Sequence, residues 1–540
     1  MQHTRHSEAH ASDVDVLIVG SGPIGATFAR IVAERAPQAR ILMIDAGPQL
    51  TKRPGMHVKN IADPEERIRA QVRSQGPTQF PYAIPSFEER AHAAEKRGRE
   101  RIAMLARPGT HLINPDDADL DTSDMPAAAA ATNVGGAGAH WTCACPRPGN
   151  TERVPFIPYA EWDRVCTKAE ALLKVTTKAF PETVEGFAIQ QTLGQIYDSI
   201  LPEGLKVGPM PLAVQVREDG SLYWTGPDVI LGPLAEEAND GSGHFTLRSE
   251  TICRRLIVAG DRVTGAAIEH LPSRRRETVT ARFIAVGADS LRTPQLLWAS
   301  GIRPRALGHY LNDHIFNMAS VELSDSVIER ARKTLQAAGR PERSIRLSGE
   351  SIIGIFRVPF HDPEHPFHAQ VMHLDVSPIP LDPNQVRGNP RHIVGLGWVP
   401  LKEIRYEDYI EFSDTETDYF GMPKLTIHYA LTDKDWAALE AARAEQRRAA
   451  AAFGRPLEAG GPQMLPPGTS LHYQGTMRMG ERDDGTSVCD PYSRVWGLRN
   501  LFIGGNGVIP TATACNPTLT SVALAVRAAE MLAAALQTEE

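Results

Sequence analysis

The 540-residue sequence contains few cysteines and no long block of like charge. Its six cysteines, at positions 143, 145, 166, 253, 489 and 515, have no regular spacing, which argues against a disulfide scaffold and favours a reducing compartment. Lysine and arginine together number 57, and aspartate and glutamate number 65. Because the resulting net charge of −8 is dispersed, nucleic acid is not expected as the main partner.

The sequence also lacks internal repeats and an apolar signal-peptide core near its polar start. Its most apolar long stretch, Thr518–Leu536, is interrupted by Arg527 and Glu530, so we expect it to be too amphipathic to cross a membrane. A chain of this length can bury a large core and should form more than one domain. Together these features predict a cytoplasmic enzyme without a membrane partner.

The strongest local pattern is a glycine-rich turn that follows an apolar run. Val14–Gly25, VDVLIVGSGPIG, begins as a strand buried on both faces and leads into a helix. In such a turn Gly20 makes the tight exit from the strand, Gly22 lets the backbone approach a pyrophosphate, and Gly25 lets the helix pack on the strand. A second apolar run ends in Asp45, 20 residues after Gly25, where a carboxylate can accept hydrogen bonds from a ribose. A glycine turn alone could join any strand to any helix, but this order of elements favours dinucleotide binding.

Strand-then-helix units occur near both ends of the chain, which predicts an α/β nucleotide-binding domain assembled from separated segments. The middle alternates strand-like runs with the helical segment Thr432–Phe453 and predicts a substrate domain with a mainly antiparallel sheet and helices. Residues 50–106, with a charged helical pattern over Ser86–Leu105, form an insertion that either covers an active site or is a surface excursion. The predicted boundaries are residues 1–49, 107–155, 230–319 and 460–540 for the nucleotide-binding domain, and 156–229 and 320–459 for the substrate domain.

Four further stretches resemble signatures of the glucose-methanol-choline (GMC) oxidoreductase family. They are Phe283–Ile302, Gly308–His314, Asn506–Pro510 and Asn516–Thr520. The first departs from the signature, because Asp289 and Arg303 stand where the family has small residues. The resemblance implies a Rossmann-like FAD-binding domain of the GMC fold beside the substrate domain.

Within that family the chain is most similar to the pyranose oxidase group. His140–Ala144, HWTCA, resembles the group's flavin segment, and His472–Gly480, HYQGTMRMG, resembles its catalytic H-x-x-G-T-x-R-M-G run. The similarity covers roughly half of the sequence. Bacterial members include glycoside 3-oxidases that act on C- and O-glycosides, and this compact chain is more similar to those than to the longer fungal 2-oxidases.

The resemblance implies catalytic roles for His472 and Asn516. Oxidation of a secondary alcohol by a flavin removes the hydroxyl proton while hydride passes from carbon to flavin N5, and a neutral imidazole suits the base. His472 would be that base, although without the motif it would be interpreted as a structural loop histidine. Asn516 would donate to the same substrate oxygen, where many GMC enzymes have a second histidine, and it also suits a helix N-cap before Pro517.

FAD is the cofactor that the resemblance implies. The residues predicted to contact it are Gly20, Gly22, Gly25, Asp45, His140, Trp141, Thr142, Cys253, Asn506, Pro517 and Thr518. The amides at the start of the helix from Pro517 would face the flavin pyrimidine and stabilise negative charge there. The family counterpart of His140 can bond covalently to the flavin, but Ala139 replaces the threonine of the fungal group, so both modes of attachment stay open. Cys253 would lie near the adenine, or it is a buried strand cysteine.

No metal site is expected from the cysteines and histidines. Cys143 and Cys145 form a C-x-C pair without a partner pair, which favours a packing role. The stretch His361–His373 contains four histidines, but Pro363 and Pro366 break any helical spacing, so the four would not converge on one ion. Together with residues 50–106, this stretch is free to shape a substrate channel.

The sequence therefore predicts an FAD-dependent oxidase of a ring hydroxyl in a pyranose or glycoside, with C3 of a C- or O-glycoside favoured. Electrons would pass to O2 or a quinone, and the protein would be a monomer or a small homo-oligomer. Three alternatives stay open. They are a pyranose 2-oxidase of free sugars, a GMC alcohol or choline-type dehydrogenase, against which Asn516 argues, and a flavin-binding protein without turnover.

Overall fold

The computed structural model describes residues 12–75, 108–113, 124–240, 243–340, 352–374, 390–457 and 461–538. The strands in these ranges are β1 (Ser12–Val19), β2 (Ile41–Ile44), β3 (His111–Leu112), β4 (Ala129–Ala130), β5 (Val175–Thr176), β6 (Gly208–Pro209), β7 (Leu212–Val216), β8 (Leu222–Trp224), β9 (Phe245–Arg248), β10 (Thr251–Ala259), β11 (Arg262–His270), β12 (Arg275–Val286), β13 (Asn317–Leu323), β14 (Ile352–Val358), β15 (Phe367–Leu374), β16 (Ile393–Pro400), β17 (Tyr409–Thr417), β18 (Pro423–His428), β19 (Gly454–Pro456), β20 (Gln463–Met464) and β21 (Leu501–Ile503). The α-helices are α1 (Pro23–Arg35), α2 (Pro64–Arg73), α3 (Tyr159–Leu173), α4 (Val184–Tyr197), α5 (Pro227–Leu231), α6 (Leu234–Asp240), α7 (Asp289–Ala299), α8 (Asp325–Ala337), α9 (Asp433–Phe453) and α10 (Thr518–Thr538).

The first large sheet has the strand order β10-β11-β12-β1-β2-β9, and β21 also pairs with β12. β1 runs parallel to both β12 and β2, as expected for a nucleotide-binding sheet, while β10, β11 and β12 are antiparallel. Its central strands are apolar because both faces are covered, and α1 and α10 pack together against it. The predicted α/β fold with a sheet assembled from separated segments is confirmed.

The glycine turn after β1 has the close contacts that the sequence predicts. Gly20 has a φ of +97°, and a Cβ there would lie 2.5 Å from the carbonyl oxygen of Gly287. A Cβ on Gly25 would lie 1.9 Å from the carbonyl oxygen of Gly20, so only glycine lets α1 start this close to β1. The turn therefore lies where the carboxyl ends of β1 and β12 meet.

The second large sheet is antiparallel, with the order β19-β13-β16-β15-β14-β6 and with β20 paired to β13. Helices α4, α8 and α9 cover one face with an apolar core that includes Tyr197, Trp398 and Phe453. Side chains alternate along β15 and β16, so residues on the other face of these strands point to the cavity described below. The antiparallel sheet expected for a substrate domain is present; the domain boundaries themselves stay a prediction.

Only part of the insertion at residues 50–106 is described, namely residues 50–75, with a short 3₁₀ turn (Val58–Asn60) and α2. None of these 26 residues, from 50 through 75, lines the cavity. His57 in this segment contacts the backbone oxygen of Trp141 through Nε2 at 2.8 Å, so the segment supports the cavity wall from behind. The surface helix predicted for Ser86–Leu105 lies outside the described residues.

Helix α10 is long and apolar enough to cross a membrane by length and composition alone, with a mean hydropathy of 1.6. By that measure our expectation that it is too amphipathic is wrong. The reason for its composition is burial, because 78% of its most apolar window lies inside the protein. Arg527 stacks on Tyr492 and Glu530 pairs with Arg164, so the two charges that interrupt the helix have partners at its rim.

Candidate active site

One cavity, with a volume of about 440 Å³, extends from the glycine turn to the second sheet. All but two of the sequence-predicted site residues line it. The lining residues are Gly20, Gly22, Asp45, His140, Trp141, Thr142, Cys253, His472, Asn506, Asn516 and Thr518. The exceptions are Gly25, which packs α1 on β1, and Pro517, which lies between two lining residues. Residues from five distant parts of the sequence thus share one cavity.

Asp45 lies at the end of the cavity beside the glycine turn. One of its carboxylate oxygens accepts from the backbone and side chain of Ser21, at 3.0 and 2.6 Å, and the other accepts from the backbone of Gly47 at 2.8 Å. Burial raises the pKa of Asp45, while these hydrogen bonds and Arg292 oppose the shift. A carboxylate has about four lone-pair positions, so it can still accept from a ribose hydroxyl.

His140 is held against the wall of the cavity by contacts of both ring nitrogens. Nε2 lies 3.2 Å from Oδ1 of Asn133, to which it donates. Nδ1 is buried without a hydrogen-bond partner and lies against Gly109, where a Cβ would approach Nδ1 to 2.3 Å. Burial lowers the pKa of His140 to about 4, so the ring is neutral at pH 7.

The start of α10 forms another part of the wall. Thr518 and Ser521 both line the cavity, and the hydroxyl of Ser521 donates to Oδ1 of Asn506. The first amides of a helix have no partners within the helix, so this end carries partial positive charge. Asn506 is therefore fixed by the helix that it adjoins, at a place suited to a developing anion.

His472 reaches the cavity from a loop that Asp313 and Ser470 hold. The backbone N–H of His472 donates to the hydroxyl of Ser470 at 2.9 Å, and that hydroxyl donates to the buried carboxylate of Asp313. Burial raises the pKa of Asp313 to about 6, against the effect of these hydrogen bonds. The ring of His472 contacts His314, with 2.9 Å between the two Nδ1 atoms.

Asn516 lies at the end of a loop that a buried carboxylate anchors. Glu152 is fully buried, and its Oε1 accepts from the backbone N–H groups of Ala514 and Cys515 at 2.6 and 2.9 Å. Burial raises the pKa of Glu152, and these amides oppose that shift. Asn516 itself is 6% exposed, and its Oδ1 is buried without a hydrogen-bond partner.

The sequence did not identify His314, His368, Gln370 and Glu152 as site residues. The four histidines of the histidine-rich stretch have different contacts. His361 pairs with Glu364, and His365 and His373 contact backbone oxygens. Only His368 of the four lines the cavity. His368, Gln370 and Met372 are every second residue of β15 and all line the cavity. This spacing could have indicated from the sequence that they share one face of a strand. His314 ends the GHYLNDH motif, whereas nothing local marks Glu152.

The cysteines of the C-x-C pair lie in the apolar core of the first sheet. Cys143 and Cys145 are both fully buried, and burial raises the pKa of each thiol well above its ordinary value. Among the residues that the structure describes, no three His, Cys, Asp or Glu side chains are grouped as metal ligands. Cys253 also lines the cavity, and burial raises its pKa to about 12.

The residues of the cavity fit a flavin dinucleotide. A Cβ on Gly22 would meet only the oxygen of Gly135, at 3.8 Å, so no protein atom requires glycine there, whereas a close pyrophosphate would. Arg292 adds a cation at the Asp45 end, and α10 adds a positive helix terminus. The orphaned polar atoms His368 Nε2 and Asn516 Oδ1 belong to cavity residues, as expected where a ligand supplies partners.

Comparison with known proteins agrees with this geometry. Residues 408–525 match the family model described as GMC oxidoreductase. The chain is 44% identical over 528 residues to a C-glycoside 3-oxidase of Microbacterium trichothecenolyticum, covering 98% of each chain. It is 46% identical to a C-glycoside 3-oxidase of Arthrobacter globiformis (96% and 95% covered) and 31% identical to a pyranose 2-oxidase of Tricholoma matsutake (96% and 93% covered). The solved structure of Aspergillus oryzae formate oxidase covers 98% of this chain and all of its own, at a TM-score of 0.60 and 14% identity, and so shares the fold.

The chain belongs to the GMC oxidoreductase family. Members of this family are FAD flavoproteins, so the protein is an FAD-dependent oxidoreductase with a small-molecule substrate. The predicted family, fold class and enzyme class are confirmed.

Proposed function

We propose that the protein oxidises the C3 hydroxyl of a C- or O-glycoside to a ketone. The observation that carries the proposal is that His472 and Asn516 line one cavity with the glycine turn and with the second sheet. The relatives named C-glycoside 3-oxidase are 44% and 46% identical over nearly the whole chain, against 31% for the pyranose 2-oxidase. This difference favours glycoside oxidation at C3 over oxidation of a free sugar at C2.

The two residues would act on one substrate oxygen. When bound, FAD supplies the acceptor for the hydride that leaves the carbon. His472 removes the hydroxyl proton, and the amide of Asn516 donates to the oxygen as negative charge develops on it. Because His140, His314 and His368 are neutral at pH 7, none of these three rings competes for that oxygen as an imidazolium.

The second sheet provides the wall on which the sugar would lie. His368 and Gln370 offer polar groups, and Phe316, Met318 and Met372 offer apolar surface in the same cavity. A mixed wall of this kind suits a pyranose ring, which has both hydroxyl groups and apolar C–H faces. An aglycone would extend from this wall away from the first sheet.

We infer further that FAD is held without a covalent bond to His140. The inference is supported by the two ring nitrogens, since Nε2 donates to Asn133 and Nδ1 lies against Gly109. Nε2 carries the proton and so has no lone pair for a flavin methyl group, and Gly109 covers Nδ1. Acid precipitation of the purified protein should leave FAD in the supernatant, whereas flavin in the protein pellet would contradict the inference.

Anaerobic reduction of the flavin by a panel of free sugars and glycosides tests the proposed reaction. We expect aryl glycosides to reduce the flavin at least as efficiently as glucose, in rate over affinity, and to give a 3-keto product. Preferred turnover of free glucose to 2-keto-glucose would establish the pyranose 2-oxidase alternative. Flavin that no sugar or glycoside bleaches would favour a binding protein without turnover.

Re-oxidation of the reduced enzyme by O2 or by a benzoquinone, followed by stopped flow, would identify the electron acceptor. We propose that one of these two serves as acceptor. The cytoplasmic location and the monomer or small homo-oligomer stay predictions.

A further inference from the structure

Two histidines from distant parts of the sequence share one hydrogen bond at the cavity. The Nδ1 atoms of His314 and His472 are 2.9 Å apart, and the two rings are nearly perpendicular, at 80°. Two neutral imidazoles at this distance need one proton between them, so one nitrogen donates and the other accepts. The ring that donates from Nδ1 is unprotonated at Nε2. Which of the two rings donates therefore decides whether Nε2 of His472 can accept a proton from a substrate.

A buried polar pair lies behind His314, on the side away from His472. Nε2 of His314 is 3.2 Å from Oγ1 of Thr513 and 3.2 Å from Nε2 of Gln474. The hydroxyl of Thr513 donates to Oε1 of Gln474 at 2.9 Å. The backbone of Gln474 exchanges two hydrogen bonds with Asn312, at 2.8 and 3.0 Å, so its side chain is fixed beside His314.

This cluster allows two proton arrangements that differ in the tautomer of His472. If the amide nitrogen of Gln474 donates to His314 Nε2, then His314 Nδ1 carries the proton and His472 presents an N–H to the cavity. If His314 Nε2 instead donates, to Thr513 or to the Gln474 carbonyl after a turn of the amide, then His472 carries its proton on Nδ1. Only in the second arrangement is Nε2 of His472 unprotonated, as a base must be.

We propose that His314 is a positioning residue that holds the proton of His472 on Nδ1, with the hydroxyl of Thr513, or the carbonyl of Gln474 after a turn of its amide, accepting the opposite N–H of His314. The proposal rests on the proposed function, because it takes His472 as the base. When Nε2 of His472 takes the substrate proton, its Nδ1 proton stays in the bond to His314, which stabilises the imidazolium. Burial keeps the pKa of His314 at about 3, so this ring remains a neutral acceptor throughout.

Among the described residues, three further titratable or charged groups lie close to this pair. His368 and Arg357 lie on the second sheet, and Asp313 precedes His314 and contacts Ser470. The pKa of Asp313, about 6, lies in the range of such a measurement, but both variants at position 314 keep all three groups. The difference between the pH profiles of the two variants therefore reports on the hydrogen bond to His472.

A nearly isosteric pair of variants, His314→Gln and His314→Met, tests the proposal. A glutamine oxygen can accept the Nδ1 proton of His472, whereas the thioether sulfur of methionine is only a weak acceptor. We expect the rate constant for anaerobic flavin reduction to stay within about threefold of the parent in His314→Gln and to fall by at least about tenfold in His314→Met. In His314→Met the midpoint of its pH dependence should also move to lower pH, because the imidazolium loses its acceptor.

A second readout does not depend on activity. Diethyl pyrocarbonate modifies the unprotonated ring nitrogen, so the pH dependence of His472 modification, measured by peptide mass spectrometry on the FAD-free protein, reports its protonation directly. The same downward movement of the midpoint is expected in His314→Met and not in His314→Gln. Equal losses of rate in both variants, or a midpoint that does not move in His314→Met, would overturn the proposal.

Variants at Thr513, which contacts His314 on the side away from His472, keep the test valid if position 314 does not tolerate substitution. Thr513→Val should lower the rate of flavin reduction by about threefold or more, while Thr513→Ser, which keeps the hydroxyl, should not. Equal rates for both would refute the role of the cluster. His472→Ala, measured in parallel, separates the two levels: unchanged reduction there contradicts the proposed function, whereas its collapse beside parent-like His314→Met contradicts only the positioning role.

Discussion

At the scale of single residues, the chemistry depends on a few polar side chains whose partners come from distant segments. His472 is held by Ser470 and Asp313 and contacts His314. Asn516 follows a loop that the carboxylate of Glu152 anchors. The motif around His472 could be recognised from the sequence. Its contact with His314, 158 residues away, could not, because no local pattern encodes a pairing across that separation.

Substitution of the base is the first prediction at this scale. His472→Ala should lower the rate constant for flavin reduction by about two orders of magnitude or more and leave FAD bound, because a base acts in the transition state and little in cofactor binding. Stopped-flow reduction and the visible spectrum of the flavin measure the two effects. His244→Ala, at an exposed position, is the matched control and should match the parent.

The acid beside the glycine turn gives the second prediction. Asp45→Ala should weaken FAD binding by about 1–3 kcal/mol, because a ribose hydroxyl and two backbone N–H groups lose an acceptor. Ser21→Ala removes one of the donors to Asp45 but leaves its carboxylate, so it should cost less. Fluorescence titration of the FAD-free protein measures both; equal affinities in the parent and in Asp45→Ala would contradict a ribose contact.

At the scale of elements, strands fix the orientation of the site and a carboxylate fixes one loop. Along β15 the residues Phe367, Ala369 and Val371 enter the core, so His368 and Gln370 must face the cavity. This alternation was visible in the sequence, but we predicted only that the whole stretch could shape a substrate channel and did not single out these two residues. The anchoring role of Glu152 was not visible, since it contacts backbone groups 362 and 363 residues further along the chain.

The loop before α10 gives the prediction at this scale. Glu152→Gln replaces one accepting oxygen by an NH₂ group that faces backbone N–H donors, so the loop carrying Asn516 should shift. We expect the rate of flavin reduction to fall by about tenfold, with a loss of stability of about 1–3 kcal/mol. Stopped flow and denaturant unfolding measure these effects. Glu218→Gln, at an exposed position, is the control, and equal behaviour of the two variants would refute the anchoring role.

At the scale of the whole molecule, two sheets with different rules of construction enclose the cavity between them. The parallel strands β1 and β2 contain near-continuous apolar runs, which made the nucleotide-binding half easy to predict. The antiparallel half was predicted in outline only, because its registers depend on pairings between strands far apart in sequence. The same enclosure buries several histidines in neutral form, which affects how stability depends on pH.

Stability should fall as the pH drops from about 6.5 to 4.5. Burial lowers the pKa of His111, His314 and His368 to about 3 and that of His140 and His365 to about 4. A histidine with a lowered folded pKa takes up its proton first in the unfolded chain, so stability is full above about pH 6.5 and declines toward the folded pKa. Each such group contributes about 1.4 kcal/mol per pH unit within that window. Asp313, Glu152 and Asp45, whose pKa values are raised, act in the opposite sense and reduce the slope.

A variant of one buried histidine isolates this effect from the cofactor. His365 is 1% exposed, packs edge-on against Tyr197 and lies outside the cavity, so His365→Gln should leave FAD binding unchanged. Denaturant titrations of the holoenzyme at pH 7.0, 6.0 and 5.0 span the unfolded histidine pKa of about 6.5. The free energy of unfolding that they give should depend less steeply on pH in this variant than in the parent. The difference in slope should approach one proton, or about 1.4 kcal/mol per pH unit. Parallel pH dependences for the variant and the parent would show that His365 is protonated alike in the folded and unfolded chains, and the burial argument would fail for it.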